Sequence, residues 1–396
     1  SSLLFASLPS PPSEPCHADV MMRRPLRAVL RSLRVERKAP LRLCFGAACA
    51  AMALPWGRHQ QRSLARCQQS QGPEGSELRS LFPEVEARKT GMLETADGCS
   101  KIYYEVSGNP NGKVALFLHG GPGDGCSPKH RRLFDPEAFC IVTFDQRGAG
   151  QTQPSGFTED NHTANLIEDI ELLRKHLSLE RWDLLVGGSW GSTLALAYAT
   201  KYHDTVKAMV LYSIFIPSKA GIEFVYSAQG AGLFFPEDYE AFVKAILPEK
   251  TSPARVISCY AKRLTSPEAS VRNAACAAYL RWVMRLLSLC PDENIIEEIA
   301  SKPEEAGPGP AIEMNYMANG CFLDSQQLLD DCGRIAHIPC TILHGRNDLI
   351  CPPVNAWTLR KHLPLAKLKV VPMAGHSSSL APALKSAILE AIDSYR

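Results

Sequence analysis

One serine of the chain has the surroundings of a catalytic nucleophile. Ser189 lies in the sequence G-G-S-W-G of residues 187–191, which follows an apolar run at 184–186 and precedes a helix-like run at 192–202. A G-x-S-x-G sequence between a strand and a helix predicts a sharp turn that exposes the serine hydroxyl, because the flanking glycines let two backbones approach closely. The N-terminal amides of the next helix favour negative charge at the same place. We therefore expect Ser189 to attack a carbonyl carbon.

An acid and a histidine that can activate this serine follow it in the chain. Asp348 comes just after the apolar run 340–343, and His376 comes just after the run 368–371. A serine hydroxyl needs a base that takes its proton during attack, and an imidazole oriented by a carboxylate supplies that base. Because Ser189, Asp348 and His376 follow the chain order of α/β-hydrolases, the sequence predicts a catalytic triad.

A glycine-rich loop completes the predicted site. Residues 115–118 predict a core strand that runs into the sequence H-G-G-P-G at 119–123. Only small residues suit such a loop, since a larger side chain would block the approach of the substrate carbonyl. We expect the backbone amides of Trp190 and of Gly120 or Gly121 to form an oxyanion hole.

These segments together resemble the proline iminopeptidase family, the prolyl aminopeptidases among the serine α/β-hydrolases. The matching sequences are HGGPG at 119–123, FDQRGAG at 144–150, GGSWGSTLALAY at 187–198, GRND at 345–348 and AGHS at 374–377. The resemblance begins near Gly91 and continues almost to the C-terminus. It implies an α/β-hydrolase fold, in which a mostly parallel sheet is flanked by helices and carries an inserted helical cap. It also implies release of N-terminal proline from peptides through an acyl-enzyme, without a metal.

The same resemblance implies acidic cap residues that bind the free imino group of the substrate. One such position is Glu313, in the sequence E-M-N-Y-M, and another holds the apolar residue Val283. Loss of one charge-assisted contact should weaken substrate capture by about 1.5–3 kcal/mol. Tyr279 and Trp282 are three residues apart on a predicted helix and so share a face. That face either lines a proline-sized pocket or packs in the core of the cap, and the sequence does not distinguish the two roles.

Two other functions remain open at this stage. The first is an esterase or amidase of the same fold with changed specificity, which Val283 favours. The second is a catalytically silent binding protein on a hydrolase fold, against which the intact triad argues.

The composition excludes several further classes. A net charge of +2 with 21% charged residues gives no electrostatic basis for binding nucleic acid. The 14 cysteines form no C-x-x-C pair and have no histidines at zinc spacing. The chain has no G-x-G-x-x-G after a predicted strand and no Walker A sequence. We therefore expect no metal and no cofactor. The resemblance to the proline iminopeptidases implies a peptide with an N-terminal proline as the partner.

The chain divides into a leader, a core of two segments and a cap. Residues 1–80 predict a targeting or disordered leader, because the arginines between Met21 and Ser70 are accompanied by a single acid, Glu36. Such a segment suggests plastid or mitochondrial import of an otherwise soluble, cytoplasmic-type enzyme, and it also fits a signal peptide. Its apolar run at 43–54 is too short for stable membrane insertion. The predicted units that follow are the first segment of the α/β-hydrolase core at 88–215, the helical cap at 216–334 and the second segment of the core at 335–396. The sequence does not fix the oligomeric state.

Overall fold

The computed structural model describes residues 78–246 and 252–396. The predicted leader of residues 1–80 lies outside the described residues, apart from its last three positions. Among the residues that are described, no helix is both long enough and apolar enough to cross a bilayer.

The described residues form an eight-stranded sheet in the order β1-β2-β4-β3-β5-β6-β7-β8. Strands β1, β2 and β4 pair antiparallel, and every pairing from β4 through β3 to β8 is parallel. The predicted mostly parallel sheet is thereby confirmed. The strands are β1 Ala87–Glu94, β2 Lys101–Gly108, β3 Lys113–Leu118, β4 Phe139–Phe144, β5 Leu184–Gly188, β6 Met209–Tyr212, β7 Cys340–Gly345 and β8 Lys367–Val371.

Helices cover both faces of this sheet, and they account for its apolar centre. Strands β4 and β5 are buried along their whole length, as parallel strands covered on both faces must be. In order, the α-helices in the described ranges of the chain are α1 Pro128–Arg131, α2 Thr163–His176, α3 Trp190–Lys201, α4 Lys219–Val225, α5 Pro236–Lys244, α6 Pro253–Leu264, α7 Ala269–Leu287, α8 Glu293–Ala300, α9 Gly309–Ala318, α10 Ser325–Asp331, α11 Val354–His362 and α12 Pro382–Asp393.

Helix α3 lies at the centre of the molecule. Its residues from Trp190 to Thr200 are all buried, and it follows directly from β5. A helix that is apolar on all sides must be enclosed by other elements. This enclosure fixes the N-terminus of α3, and with it the position of Ser189.

Helices α4 to α10 are inserted between β6 and β7, and we call them the cap. The cap has an aromatic centre in which the Phe242 ring stacks on Tyr260, with centroids 4.3 Å apart, and on Trp282, with centroids 5.6 Å apart. The insertion falls within the interval 216–334 that the sequence predicts as the cap. Because β6 and β7 are parallel neighbours in the sheet, the chain leaves the core at the carboxyl end of β6 and returns to it at the amino end of β7.

Candidate active site

Ser189 lies in the tight turn that joins β5 to α3. Its backbone has φ 55° and ψ −126°, and its N–H donates to the carbonyl of Tyr212 over 3.1 Å. The turn depends on Gly187, because a β-carbon there would lie 2.3 Å from the carbonyl oxygen of Gly191. A left-handed backbone at a non-glycine residue is strained and persists only where its surroundings hold it. Here the buried strand and the buried helix hold it from both sides.

The structure brings Ser189, His376 and Asp348 together from three different loops. His376 Nε2 lies 3.0 Å from Ser189 Oγ, and His376 Nδ1 lies 2.8 Å from Asp348 Oδ2. Each residue follows the C-terminal end of a strand: β5 for the serine, β7 for the acid and β8 for the histidine. The carboxyl ends of parallel strands meet at one edge of a sheet, and this topology explains how residues 187 positions apart in sequence come into contact.

The Asp348 carboxylate is fixed by its own loop. Oδ1 accepts hydrogen bonds from the backbone N–H groups of Ile350, over 3.0 Å, and Cys351, over 2.8 Å. A second buried histidine, His344, has its Nε2 3.4 Å from Asp348 Oδ2 and 2.7 Å from the Cys351 carbonyl. Burial lowers the pKa of His344, so this ring stays neutral. His376 is therefore the imidazole that Asp348 stabilises as a cation.

His376 is placed to exchange a proton with Ser189. Burial disfavours the imidazolium, but the Asp348 carboxylate outweighs this effect and raises the pKa of His376 well above its usual range. The backbone at His376 is held by Ser213, whose Oγ donates to the His376 carbonyl over 2.9 Å. In the neutral form of the ring, Nδ1–H is donated to Asp348 and Nε2 is free to accept the serine proton.

The loop after β3 lies against the nucleophile. A β-carbon placed on Gly120 would lie 3.6 Å from Ser189 Cβ, and Gly120 and Gly121 both line the cavity in front of Ser189. The Trp190 N–H is the first of α3, so it has no acceptor within the helix. Its indole is turned away from the cavity and donates to Gln146 Oε1 over 2.8 Å.

Gln146 connects the elements that surround this loop. Its side-chain amide donates to the His119 carbonyl over 3.0 Å, and its backbone N–H donates to His119 Nε2 over 3.0 Å. The same side chain accepts from the Trp190 indole. Gln146 thus ties the loop after β3 to the start of α3.

A cavity of about 620 Å³ opens in front of the triad, between the core and the cap. Ser189, His376 and Gly120 line it from the core, and Tyr279 and Glu313 line it from the cap, where they belong to α7 and α9. Glu313 Oε1 accepts a hydrogen bond from Tyr226 over 3.1 Å. Burial and the nearby charge of Asp124 raise the pKa of Glu313 to about 7, although the hydroxyls of Tyr279 and Tyr226 act in the opposite direction.

Trp282 occupies a different place from Tyr279. Its indole N–H donates to the Val225 carbonyl over 3.1 Å, and its ring packs against Tyr239 and Phe242 in the centre of the cap. It is not among the residues that line the cavity. Of the two roles left open by the sequence, the structure favours the cap core for Trp282 and the cavity wall for Tyr279. The reason is the direction of α7, which turns Leu280, Val283 and Leu287 toward the cavity and Trp282 away from it.

Three residues at the site were not found from the sequence. Asp124 lines the cavity just beyond the glycine-rich loop, Tyr226 holds Glu313, and Gln146 braces the loop itself. Asp124 stands directly after H-G-G-P-G, so its position in the chain was a usable signal. The contacts of Tyr226 depend on the packing of cap helices, and no sequence pattern indicates them. Within residues 78–246 and 252–396, no three His, Cys, Asp or Glu side chains are grouped as a metal site requires.

The chain is similar in sequence to proteins of known family. The sequence model of the alpha/beta hydrolase fold matches residues 114–255. A probable proline iminopeptidase of Leptolyngbya boryana is 42% identical over 319 residues, which cover 80% of this chain and 97% of the relative. A proline iminopeptidase of Arabidopsis thaliana is 41% identical over 302 residues, which cover 76% of this chain and 78% of the relative.

Solved structures agree on the fold. An esterase from Exiguobacterium antarcticum has a TM-score of 0.55 at 19% identity and covers 78% of this chain and 99% of its own. A proline iminopeptidase-related protein from Thermus thermophilus has a TM-score of 0.52 at 22% identity and covers 78% of this chain and 98% of its own. Identities this low show the fold alone, whereas identities near 40% over 78–97% of the relatives' length show the family. The chain belongs to the proline iminopeptidase family of α/β-hydrolases.

Proposed function

We propose that this protein is a serine aminopeptidase that releases N-terminal proline from peptides through an acyl-enzyme. The observation that carries the proposal is one cavity that contains the Ser189 and His376 side chains of a hydrolytic triad on the core side and a carboxylate, Glu313, on the cap side. The triad alone would suit any ester or amide. The carboxylate adds a partner for a substrate that carries a positive charge close to the bond that is cleaved.

In the first step Ser189 Oγ attacks the carbonyl carbon of the terminal proline while His376 Nε2 takes the hydroxyl proton. Asp348 keeps the His376 Nδ1–H in place and stabilises the imidazolium as it forms. The contact of 3.0 Å between Nε2 and Oγ suits this transfer.

The negative charge on the carbonyl oxygen is then stabilised by backbone amides. The amides of Trp190 and of Gly120 or Gly121 are the donors that surround the position in front of Ser189 Oγ. Each donor of this kind contributes about 3–4 kcal/mol to the transition state of comparable acyl transfers. Collapse of the tetrahedral intermediate passes the proton from His376 to the leaving amine, and water hydrolyses the acyl-enzyme by the same route.

Specificity for the N-terminus follows from the charge on the substrate. The imino group of an N-terminal proline is cationic at neutral pH, and an internal peptide nitrogen is not. A Glu313 carboxylate favours the cationic group by a charge-assisted contact. The nearby Tyr279 ring adds an apolar surface for the pyrrolidine ring.

A rival function has one observation in its favour. Val283 lines the cavity and gives the cap wall an apolar patch where the resemblance implied a second acid. Such a wall also suits a neutral ester or amide, and we therefore keep an esterase or amidase of the same fold as the alternative.

Hydrolysis of proline β-naphthylamide, alanine β-naphthylamide and p-nitrophenyl acetate separates the two functions. We expect a strong preference for the proline amide, which Glu313→Ala removes, and no turnover by Ser189→Ala. Ester turnover without prolyl amide turnover would favour the alternative. Labelling of the wild type but not of Ser189→Ala by a fluorophosphonate identifies the nucleophile independently of the substrate. An unlabelled wild type would instead indicate a catalytically silent protein.

A further inference from the structure

Asp124 places a second carboxylate in the catalytic cavity, in addition to Glu313. It follows the glycine-rich loop after β3, whereas Glu313 belongs to helix α9 of the cap. Both side chains line the cavity that contains Ser189. The charge of Asp124 is close enough to raise the pKa of Glu313. The two acids therefore face the same space from the core and from the cap.

The Asp124 carboxylate stands beside the nucleophile. A β-carbon placed on Gly120 would lie 3.1 Å from Asp124 Oδ2 and 3.6 Å from Ser189 Cβ. The same carboxylate is therefore next to the loop whose amides are proposed to hold the oxyanion. In an N-terminal residue the α-nitrogen is only two covalent bonds, about 2.5 Å, from the carbonyl carbon. An acid that binds this nitrogen must lie close to the serine, as Asp124 does.

Among the described residues, the Asp124 carboxylate has no hydrogen-bonded or ion-paired partner. Across residues 78–246 and 252–396, no hydrogen bond or salt bridge is found at the Asp124 side chain, and the charges that act to lower its pKa are those of His119 and His376. The histidine with the larger effect on the pKa of Asp124 is His119, whose Nε2 accepts from the Gln146 N–H and whose Nδ1 is 2.9 Å from the Gly120 carbonyl. Burial lowers the pKa of His119, so this ring stays neutral. Asp124 is exposed and lines the cavity. Desolvation by the surrounding protein raises its pKa.

We propose that Asp124 is a specificity-determining residue, which binds the cationic imino group of the substrate together with Glu313. This inference rests on the proposed function and extends it to a residue that was not identified from the sequence. The core carboxylate holds the nitrogen from the side of the nucleophile, and the cap carboxylate holds it from the side of α9. The cap wall between them is apolar at Leu280, Val283 and Met284, and it suits the ring of the substrate.

The position of Asp124 has opposite effects on charged and neutral substrates. With a cationic nitrogen bound, its charge is compensated. With a neutral ester bound, the charge remains uncompensated beside the oxyanion and opposes the negative charge that develops there. Asp124 therefore favours cationic substrates by binding them and disfavours neutral substrates by repelling their transition state.

The test is Asp124→Asn, which keeps the shape of the side chain and removes its charge, assayed at pH 8 on the full chain. We expect kcat/KM for proline β-naphthylamide to fall on the order of tenfold or more, mainly through KM, as loss of one charge-assisted contact predicts. We expect kcat/KM for p-nitrophenyl acetate to stay the same or to rise. The control is Glu304→Gln, which removes an exposed charge from the cap outside the cavity. It should change neither rate.

A parallel fall of both activities in Asp124→Asn would overturn the inference, because it would mean that Asp124 only supports the loop after β3. An unchanged KM for the proline amide would overturn it as well. The inhibition constant of L-prolinamide against p-nitrophenyl acetate hydrolysis measures cation binding, even in a protein that cleaves no prolyl amide. Failure of the wild type to cleave proline β-naphthylamide would refute the proposed function. An inhibition constant for prolinamide that Asp124→Asn leaves unchanged would refute the role of Asp124.

Discussion

At the scale of single residues, Glu313 makes activity depend on pH. Four groups face this carboxyl and influence its pKa: Tyr279 and Tyr226 lower it, Asp124 raises it and His376 lowers it. Burial dominates and brings the value to about 7. Because the raised pKa keeps the group protonated below that value, Glu313 carries the charge that a cationic substrate needs only above about pH 7.

We therefore expect kcat/KM for proline β-naphthylamide to rise with pH through about 7, the pKa of Glu313 in the free enzyme. It should fall again at alkaline pH, where the amine of the substrate loses its proton. Hydrolysis of p-nitrophenyl acetate should lack the limb that Glu313 causes. Measuring kcat/KM for both substrates as a function of pH shows whether the acid limb is specific to the proline amide.

Two variants should shift the acid limb of this pH profile in opposite directions. Tyr226→Phe removes a hydroxyl that lowers the pKa of Glu313 and should move the acid limb to higher pH. Asp124→Asn removes a charge that raises this pKa and should move the limb to lower pH. If the acid limb stays at the same pH in both variants and in Glu313→Gln, it belongs to another group. Glu313 then does not control the pH dependence of kcat/KM.

At the scale of elements, the turn between β5 and α3 depends on backbone contact. A methyl group at Gly187 would meet the carbonyl oxygen of Gly191 at 2.3 Å, and neither strand nor helix can move away because both are buried. We expect Gly187→Ala to lower the free energy of unfolding by at least about 2 kcal/mol and to abolish activity. Urea unfolding followed by circular dichroism measures the first effect.

Gly333→Ala is the matched control for this substitution. A β-carbon at Gly333 has no atom within 4 Å, so the same change of residue type should be neutral in both assays. Equal stability of the two variants would show that the turn can relax. The position of Ser189 would then not depend on close contact between β5 and α3.

The elements of the core could be predicted from the sequence because their signals are local. A strand, a turn and a helix follow one another around Ser189, and Asp348 and His376 each follow an apolar run. A parallel sheet then brings these loops to one edge without further information. Strands β1 and β2 carry weaker alternation, and the sequence does not predict them individually.

The cap residues were harder to predict because helix orientation is set by tertiary packing. The spacing of Tyr279 and Trp282 places them on one face of α7, yet one of them borders the cavity and the other packs in the centre of the cap. Leu280, Val283 and Leu287 line the cavity, whereas Trp282 packs in the aromatic centre of the cap. Periodicity shows which residues lie together on a helix, but not which neighbour the helix meets.

At the scale of the whole molecule, the segment before β1 binds to the last helix. Arg79 N–H donates to Ser386 Oγ over 3.0 Å, and the Arg79 guanidinium pairs with Asp393. Phe82 N–H donates to the Arg132 carbonyl over 3.0 Å, and Arg132 Nε donates to the Phe82 carbonyl over 2.7 Å. The guanidinium of Arg396 lies over the Phe82 ring, 5.4 Å from its centroid. These contacts connect both ends of the described chain to the same corner of the core.

We expect a protein that starts at residue 87 to be less stable than one that starts at residue 78. Hydrogen bonds of this kind contribute on the order of 1 kcal/mol each, so the loss should total about 2–4 kcal/mol and lower Tm by several degrees. The turnover of proline β-naphthylamide should change little below Tm, because no cavity residue lies in the removed segment. Differential scanning calorimetry of the two proteins measures the difference, and equal Tm values would contradict it.

The insertion of the cap at one place in the chain has a consequence for how such enzymes diverge. All three reacting groups come from core loops, whereas much of the wall that chooses the substrate comes from one continuous segment between β6 and β7. Substitutions in that segment can alter which molecules enter without moving the serine, the histidine or the acid. Catalysis and selectivity can therefore evolve separately, and a new preference requires changes in only one stretch of the gene. Asp124 is the exception, because it would tie selectivity to the core itself.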